Sequence, residues 1–221
     1  MLLIFFKIWL MGINGVLAPD QPTFKGGTDA LNNFIANRMI YPTFSKNNCL
    51  QGKIYVAFQL DNEGNVFNSK VQKGLGIDLD QEALRLIRLT NGKWNIPSGY
   101  DTNSQLVIPV SFTLKNYNCN DRSADQINQA IDLFRNRLAL QNVVLNYYRN
   151  LYDGKMNQKN EGEILQIKSE LGFDEKFISE KMREAKQKFK QGDKEGACES
   201  WYFVKYIGSN MADEMIAENC K

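Results

Sequence analysis

The segment from Gly52 to Leu60 alternates apolar and polar side chains without interruption. One parity is entirely apolar and comprises Ile54, Val56, Phe58 and Leu60. Successive side chains of a strand point to opposite faces, so this pattern predicts a β-strand with one buried face. The next four residues, Asp61-Asn62-Glu63-Gly64, are turn formers, and Asn65 to Gln72 is predicted as the returning strand of a hairpin.

Helical spacing of apolar residues flanks this hairpin on both sides. Gly26-Gly27-Thr28 predicts a turn and an N-cap, and the helix that follows should end before Tyr41-Pro42, because a residue preceding proline avoids the α region. Asp78 is predicted as the N-cap of a second helix, with Gln81 three residues on as in a capping box. The predicted buried face of that helix is formed by Leu79, Ala83, Leu86 and Ile87.

A third strand is predicted from Leu106 to Leu114. Its inward residues are Ile108, Val110, Phe112 and Leu114. Pro109 lies within the segment and has no N–H for a ladder, which predicts that this strand is at an edge of the sheet. The element order α-β-β-α-β defines a small α+β domain with a three-stranded antiparallel sheet.

From Ser123 onward the pattern is helical only. Ser123 and Gln126 predict a capping box, followed by a helix that continues to Asp153-Gly154. Further helices are predicted at about 161–171, 175–191, 194–207 and 209–219, with Gly172, Gly192 and Gly208 at their ends. The spacing of Ala185, Ala197, Trp201 and Val204 fits either a tetratricopeptide-like helix pair or a plain helical bundle.

Composition argues against several function classes. The chain has no histidine, and its 27 basic and 25 acidic residues give a net charge of +2. Without histidine the prior for an enzyme falls, and the near-neutral charge argues against nucleic-acid binding. Asp78, Asp80 and Glu82 could form a carboxylate cluster, but acids at a helix start also favour the helix dipole. We expect no catalytic residue, no metal site and no cofactor.

The N-terminus, Met1 to Ala18, is predominantly apolar from Leu2 to Ile13. A helix needs about 20 apolar residues to cross a bilayer, and this run is shorter, which favours a secretory signal peptide. A short hydrophobic anchor and a buried helix are the alternatives. We expect an exported protein of the periplasm or cell envelope, associated with a membrane only through residues 1–18 if these are uncleaved.

The first domain resembles the C-terminal domain of TonB-family proteins, in the form found in Bacteroides-type energy transducers. The resemblance rests on a series of short motifs that occur in the same order as in the family, over about ninety residues. Each motif is weak by itself, but the combination is specific. They are Phe24-Lys25-Gly26-Gly27, Ala30-Leu31, Phe34-Ile35, Tyr41-Pro42, Gly52 to Phe58, Asp61, Gly64-Asn65-Val66, Val71, Gly74, Leu79 to Arg85, Trp94, Pro97 and Pro109 to Leu114. Three regions are therefore predicted: residues 1–18, a TonB-like domain at 19–118 and a helical domain at 119–221.

The resemblance implies a function in TonB-dependent transport across the cell envelope. Family members bind an extended peptide of an outer-membrane transporter, which adds as a strand along the third strand. Carried over, the partner-binding edge comprises Leu106, Val107, Ile108, Pro109, Val110, Ser111, Phe112, Thr113 and Leu114. The flanking segment comprises Arg38, Met39, Ile40, Tyr41 and Pro42.

This sequence departs from an orthodox transducer in two ways: its apolar run is short, and the domain follows that run almost directly. A domain so close to an inner-membrane anchor could not reach the outer membrane. An alternative is therefore a scaffold protein that does not transduce energy and whose helical tail binds a protein partner.

Four cysteines, Cys49, Cys119, Cys198 and Cys220, form no CxxC pair. An even count in an exported chain favours disulfides, whereas four reduced thiols would indicate a cytosolic protein. Two helices that fold back at Gly208 would bring Cys198 level with Cys220. In the TonB-like sheet the start of the first strand and the end of the third are close, which implies a bridge from Cys49 to Cys119.

Overall fold

A computed structural model describes residues 21–115, 117–155 and 160–220. The predicted segment 1–18 lies outside the described residues. The elements of the first part are β1 (Thr23–Phe24), α1 (Gly27–Arg38), α2 (Thr43–Asn47), β2 (Gly52–Leu60), β3 (Val66–Lys73), α3 (Asp78–Arg88), β4 (Trp94–Asn95) and β5 (Leu106–Phe112). The second part comprises α4 (Ala124–Tyr152), α5 (Glu161–Glu170), α6 (Glu175–Lys190), α7 (Lys194–Tyr206) and α8 (Asp213–Asn219).

The central sheet has three antiparallel strands in the order β3-β2-β5, as predicted. The apolar parity of β2 is fully buried, and its residues Ile54, Val56, Phe58 and Leu60 lie at the centre of the core. β5 pairs with β2 in unbroken register, with Lys53 opposite Ser111, Tyr55 opposite Pro109 and Ala57 opposite Val107. The strand predicted to be at the edge is at the edge.

Helix α3 covers one face of this sheet. All four residues of its predicted face, Leu79, Ala83, Leu86 and Ile87, are fully buried. Helix α1 adds Leu31 and Ile35 to the same core. The fold is therefore α+β, with the apolar faces of sheet and helices forming one contiguous core.

Gly64 allows the tight turn between β2 and β3. Its φ of 81° lies in the left-handed region, and a Cβ built there would be 2.7 Å from the carbonyl oxygen of Trp94. Its own carbonyl accepts a hydrogen bond from the Gly92 N–H at 2.9 Å. Glycine at this position thus lets the hairpin turn approach the loop that precedes β4.

Some local predictions in this part were wrong. Asp78 is not the N-cap of α3; Ile77 occupies that position, and the Asp78 carboxylate instead accepts hydrogen bonds from the backbone N–H and the hydroxyl of Ser45. The N-cap predicted within Gly26-Gly27-Thr28 is confirmed, and it is Gly26. β5 ends at Phe112, two residues before the predicted end, because the Leu114 N–H bonds to the Gln51 side chain rather than to a strand.

The structure also contains elements that the sequence patterns did not indicate. β1 and β4 form a separate two-stranded sheet in which Phe24 is opposite Trp94. Their rings pack edge to face at 5.6 Å, and the Trp94 indole N–H donates to Thr90 at 2.9 Å. These strands have two residues each, too short for an alternating pattern to be read.

The second part contains helices joined by short loops, and no strand occurs among its described residues. The predicted capping box of Ser123 and Gln126 begins α4, and the predicted glycines follow α5, α6 and α7 with positive φ angles. α8 begins at Asp213 rather than at residue 209. Ala185, Ala197, Trp201 and Val204 are buried where α6 packs against α7. This packing suits both the bundle and the repeat-like interpretation.

The four cysteines form two disulfide bonds. Cys49 is bonded to Cys119, and Cys198 to Cys220. The first ties the residues after β5 to the start of β2, and the second ties the end of α8 to α7. No helix within 21–115, 117–155 and 160–220 has both the length and the hydropathy of a transmembrane span.

Candidate functional site

The outer edge of β5 is unoccupied within the described part of the chain. On its inner side β5 pairs with β2 along its whole length. On its outer side no strand pairs with it, and no backbone hydrogen bond from another described segment reaches residues 106–112. Unpaired N–H and C=O groups along such an edge can accept an additional strand.

The two faces of this edge strand differ in exposure. Val110 and Phe112 point into the core and are buried, whereas Val107, Pro109 and Ser111 are exposed on the opposite face. Leu106 and Ile108 are half-buried, and beyond the strand Thr113 is exposed and Leu114 half-buried. The edge is therefore held in place by its inward side chains while its backbone and outward side chains meet solvent.

Tyr41 connects the predicted flanking segment to this edge. Its ring meets the ring of Phe112 edge to face at 5.8 Å, and its hydroxyl donates to the Leu50 carbonyl at 2.5 Å. Burial of the ring, together with the negative charge of Asp78, raises the pKa of the Tyr41 hydroxyl to about 12. Tyr41 thus remains a neutral hydrogen-bond donor that supports the C-terminal end of β5.

The rest of the flanking segment is held by α3. The Ile40 N–H donates to the Glu82 carboxylate at 2.7 Å, and the Arg38 carbonyl accepts from the Arg85 guanidinium at 2.7 Å. Glu82 and Arg85 are paired with each other at 2.6 Å. With its backbone fixed in this way, Ile40 remains 67% exposed.

The structure brings together only part of the predicted partner-binding set. Tyr41 contacts Phe112, but the Arg38 guanidinium lies over the Phe34 ring at 3.9 Å, on α1. Met39 and Pro42 are half-buried. The flanking segment therefore meets the edge at one end, through Tyr41.

The opposite edge of the sheet, formed by β3, is occluded by side chains. The backbone N–H and the hydroxyl of Ser69 both donate to the carboxylate of Glu195, which lies on α7. The Val66 N–H donates to the Asn91 side chain at 2.7 Å. Asn68 has a φ of 50°, and the pairing of β3 with β2 is irregular between Ala57 and Gln59. These features leave β3 a poor template for another strand.

Arg88, the last residue of α3, is at the centre of the contact between β3 and α7, which joins the two parts of the chain. Only 5% of its side chain is exposed, and its guanidinium donates to both carboxylate oxygens of Glu199, at 2.6 and 2.9 Å. Its Nε donates to the Ser69 hydroxyl at 2.7 Å and to Glu195 at 3.1 Å. Burial alone would lower the pKa of Arg88, but the hydrogen bonds and charge of Glu199 raise it.

Sequence reasoning missed this cluster. Arg88 and Glu195 are separated by 107 residues along the chain, and a charged residue at the end of an amphipathic helix is normally read as exposed. The only local signal was Arg88 itself, directly after the buried residue Ile87.

The acidic residues near the start of α3 have structural contacts. Asp80 accepts hydrogen bonds from the N–H groups of Leu75 and Gly76, at 3.0 and 2.8 Å. Asp78 binds Ser45, and Glu82 binds Arg85. Nowhere in the three described ranges do three or more candidate metal ligands meet.

Comparison with known proteins found one family model that matches the part of the chain around the three-stranded sheet. Residues 37–114 match the model of the Gram-negative bacterial TonB protein C-terminal family. No curated protein and no solved structure matched the chain. The matched range begins at the end of α1 and ends just after β5, and it therefore contains the whole three-stranded sheet, α3 and the segment around Tyr41. Residues 37–114 of this chain are thus similar to the C-terminal domain of Gram-negative bacterial TonB proteins.

Proposed function

We propose that this protein is an exported binding protein linked to TonB-dependent transport across the cell envelope. In this proposal the β5 edge recognises an extended peptide, such as one presented by an outer-membrane transporter, by strand addition. The similarity of residues 37–114 to the TonB C-terminal family supports a TonB-like role in envelope energy transduction. The two disulfides support a location in an oxidising compartment such as the periplasm.

The observation that carries the proposal is the difference between the edges of the sheet. The outer edge of β5 has no backbone partner among the described residues, whereas Glu195 and Asn91 hold N–H groups of β3. A guest strand added to β5 would extend the sheet without displacing any described backbone hydrogen bond of β5.

The position of Pro109 defines the hydrogen bonds open to the guest. Proline in an edge strand places its nitrogen on the solvent side. Backbone polar groups alternate between the two sides of a strand, so Val107 and Ser111 share the outward parity with Pro109. The guest would accept hydrogen bonds from the N–H groups of Val107 and Ser111. It would donate hydrogen bonds to the carbonyl groups of Val107, Pro109 and Ser111.

NMR titration of the full chain with peptides from transporter N-termini tests the proposal. We expect amide shifts confined to Leu106–Leu114 and Arg38–Pro42. Two isomeric peptides that are N-methylated at alternate positions provide a matched control, because strand addition uses the N–H groups of one parity only. One isomer should lose binding and the other keep it. Equal binding by both isomers, or the absence of shifts in β5, would overturn the proposal.

A second candidate function is that of a scaffold whose helical part binds a protein partner. Leu133, Leu140 and Val143 lie along one side of α4, and their side chains are 69%, 40% and 47% exposed. Exposed apolar residues at this spacing are typical of a helix face that docks on a partner. The same titration separates the candidates, because this one predicts shifts in α4 and none in β5.

A further inference from the structure

The charges around the β5 edge are distributed unevenly. No acidic residue occurs in residues 30–60 or 102–120, which include α2, β2, β5 and the segment that follows β5. The same ranges contain four cations, Arg38, Lys46, Lys53 and Lys115. The acids at positions 21–101 are Asp29 and those between Asp61 and Asp101.

Three of these cations lie towards the C-terminal end of β5. Lys53 is directly opposite Ser111 in the ladder, and Lys115 follows the strand. The Lys46 ammonium is 5.6 Å from the centre of the Tyr117 ring, which places α2 beside the segment after β5. All three lysines are exposed, and none forms an ion pair with any residue that the structure describes.

Acidic residues close to this end have partners of their own. Glu82 is buried and bound to Arg85. Asp78 accepts from Ser45, and Asp121 accepts from Asn118 at 3.2 Å, with Arg122 next to it in the chain. The field at the C-terminal end of the edge is therefore positive. At the other end, Asp101 precedes β5, and its loop is held to β2 by the hydrogen bond from Gln59 to the Asn103 carbonyl at 2.9 Å.

We propose that the occupant of the β5 edge is an acidic extended peptide whose carboxylates lie against Lys46, Lys53 and Lys115. This inference rests on the proposed strand addition and adds the chemistry of the partner. Backbone hydrogen bonds are the same for any sequence, so side-chain charge is the means by which an edge with small outward residues distinguishes its guests. The positive charge at the C-terminal end of β5 also determines the orientation of the guest, because the acidic end of the peptide would lie beside Phe112.

The test compares peptides that differ only in charge. An alternating Thr-Val peptide of about ten residues carries two Glu at one end, and its neutral counterpart carries two Gln there. At low salt we expect the acidic peptide to bind the full chain about fivefold more tightly, since exposed ion pairs contribute only modestly. The preference should disappear at about 0.5 M NaCl, where charges are screened over a few ångströms.

Two double variants with equal change in net charge locate the effect. Lys53→Gln/Lys115→Gln should abolish the preference for the acidic peptide. Lys70→Gln/Lys73→Gln, which removes two exposed lysines of β3, should preserve it. Circular dichroism and thermal unfolding of both variants report whether each remains folded, as expected for exposed side chains.

Each outcome separates the inference from the proposed function. Equal binding of acidic and neutral peptides, with amide shifts in β5, overturns the charge preference and leaves strand addition standing. Loss of the preference in both double variants assigns it to net charge and overturns the site. If neither peptide shifts β5 amides, strand addition is overturned and this inference with it.

Discussion

The two edges of the three-stranded sheet are treated in opposite ways. The outer edge of β5 faces solvent, and Pro109, which has no N–H to donate, is the local feature that disfavours pairing there. The β3 edge is covered from a distance of more than a hundred residues, by Glu195 on α7, and Arg88 is buried between the two parts of the chain. A sheet with two open edges would invite strand pairing at both. Because α7 covers the β3 edge, only the β5 edge of this sheet is left open to pairing among the described residues.

The two disulfides should differ in their effect on stability, and their removal is the largest effect that we expect. Cys49 and Cys119 are 70 residues apart, whereas Cys198 and Cys220 are 22 apart. Closing a longer loop removes more entropy from the unfolded chain. Cys49→Ser/Cys119→Ser should lower the free energy of unfolding by about 4 kcal/mol, and Cys198→Ser/Cys220→Ser by about 3 kcal/mol.

Urea denaturation of both disulfide variants beside the unmodified chain provides the measurement. A larger loss in the Cys198→Ser/Cys220→Ser variant would show that native packing of α8 against α7, rather than loop length, determines these values.

Substitution of Arg88 tests whether the contact between the two parts stabilises the fold. Arg88→Met leaves Ser69, Glu195 and Glu199 without their common donor. Removing one partner of a buried ion pair costs about 3–5 kcal/mol, and we expect about 3 kcal/mol because Glu195 and Glu199 are 34% and 53% exposed. Chemical denaturation measures the loss. Arg183→Met, an exposed control on α6, should change stability by less than about 0.5 kcal/mol.

Glu195→Gln addresses the covered edge directly. The substitution weakens a charge-assisted hydrogen bond to the Ser69 N–H, with an expected cost of about 1.5 kcal/mol. Hydrogen exchange of the Ser69 amide should accelerate about tenfold, while the Val66 amide, held by Asn91, should be unchanged. An unaltered Ser69 amide would mean that Glu195 does not protect the edge.

Pro109→Ala sharpens the comparison from the open edge and has the smallest expected effect. Alanine supplies the N–H that proline lacks, so a guest strand gains one hydrogen bond of about 1 kcal/mol. Peptide affinity, measured by calorimetry, should increase about fivefold. Pro97→Ala, outside the sheet, should leave the affinity unchanged. Unchanged affinity in Pro109→Ala would indicate that the Pro109 nitrogen faces β2 and not the guest.

Short-range patterns predicted the main elements well. The alternation in Gly52–Leu60 identified β2 and its buried parity, and the helical spacing after Asp78 identified the buried face of α3. These succeed because side-chain periodicity within one element reports directly which face is buried. The pairing of β1 with β4 was missed because each strand has two residues.

The candidate site was predictable only in its backbone. Pro109 indicated an edge strand, and that strand is at an edge. The sequence did not indicate that Arg38 would turn to the ring of Phe34, nor that Asp78 would bind Ser45 instead of capping α3. Both outcomes depend on neighbours brought in from other elements, and local propensity does not contain that information.

What the sequence by itself determined is the set of elements: a hairpin with one apolar face, an edge strand marked by proline, and a helical tail with glycine ends. These are local properties, set by the periods of the strand and the helix. Only the tertiary structure decided that Arg88, Glu195 and Ser69 would meet and cover one edge of the sheet while leaving the other open. That choice depends on side chains more than a hundred residues apart, which become neighbours only when both parts have folded.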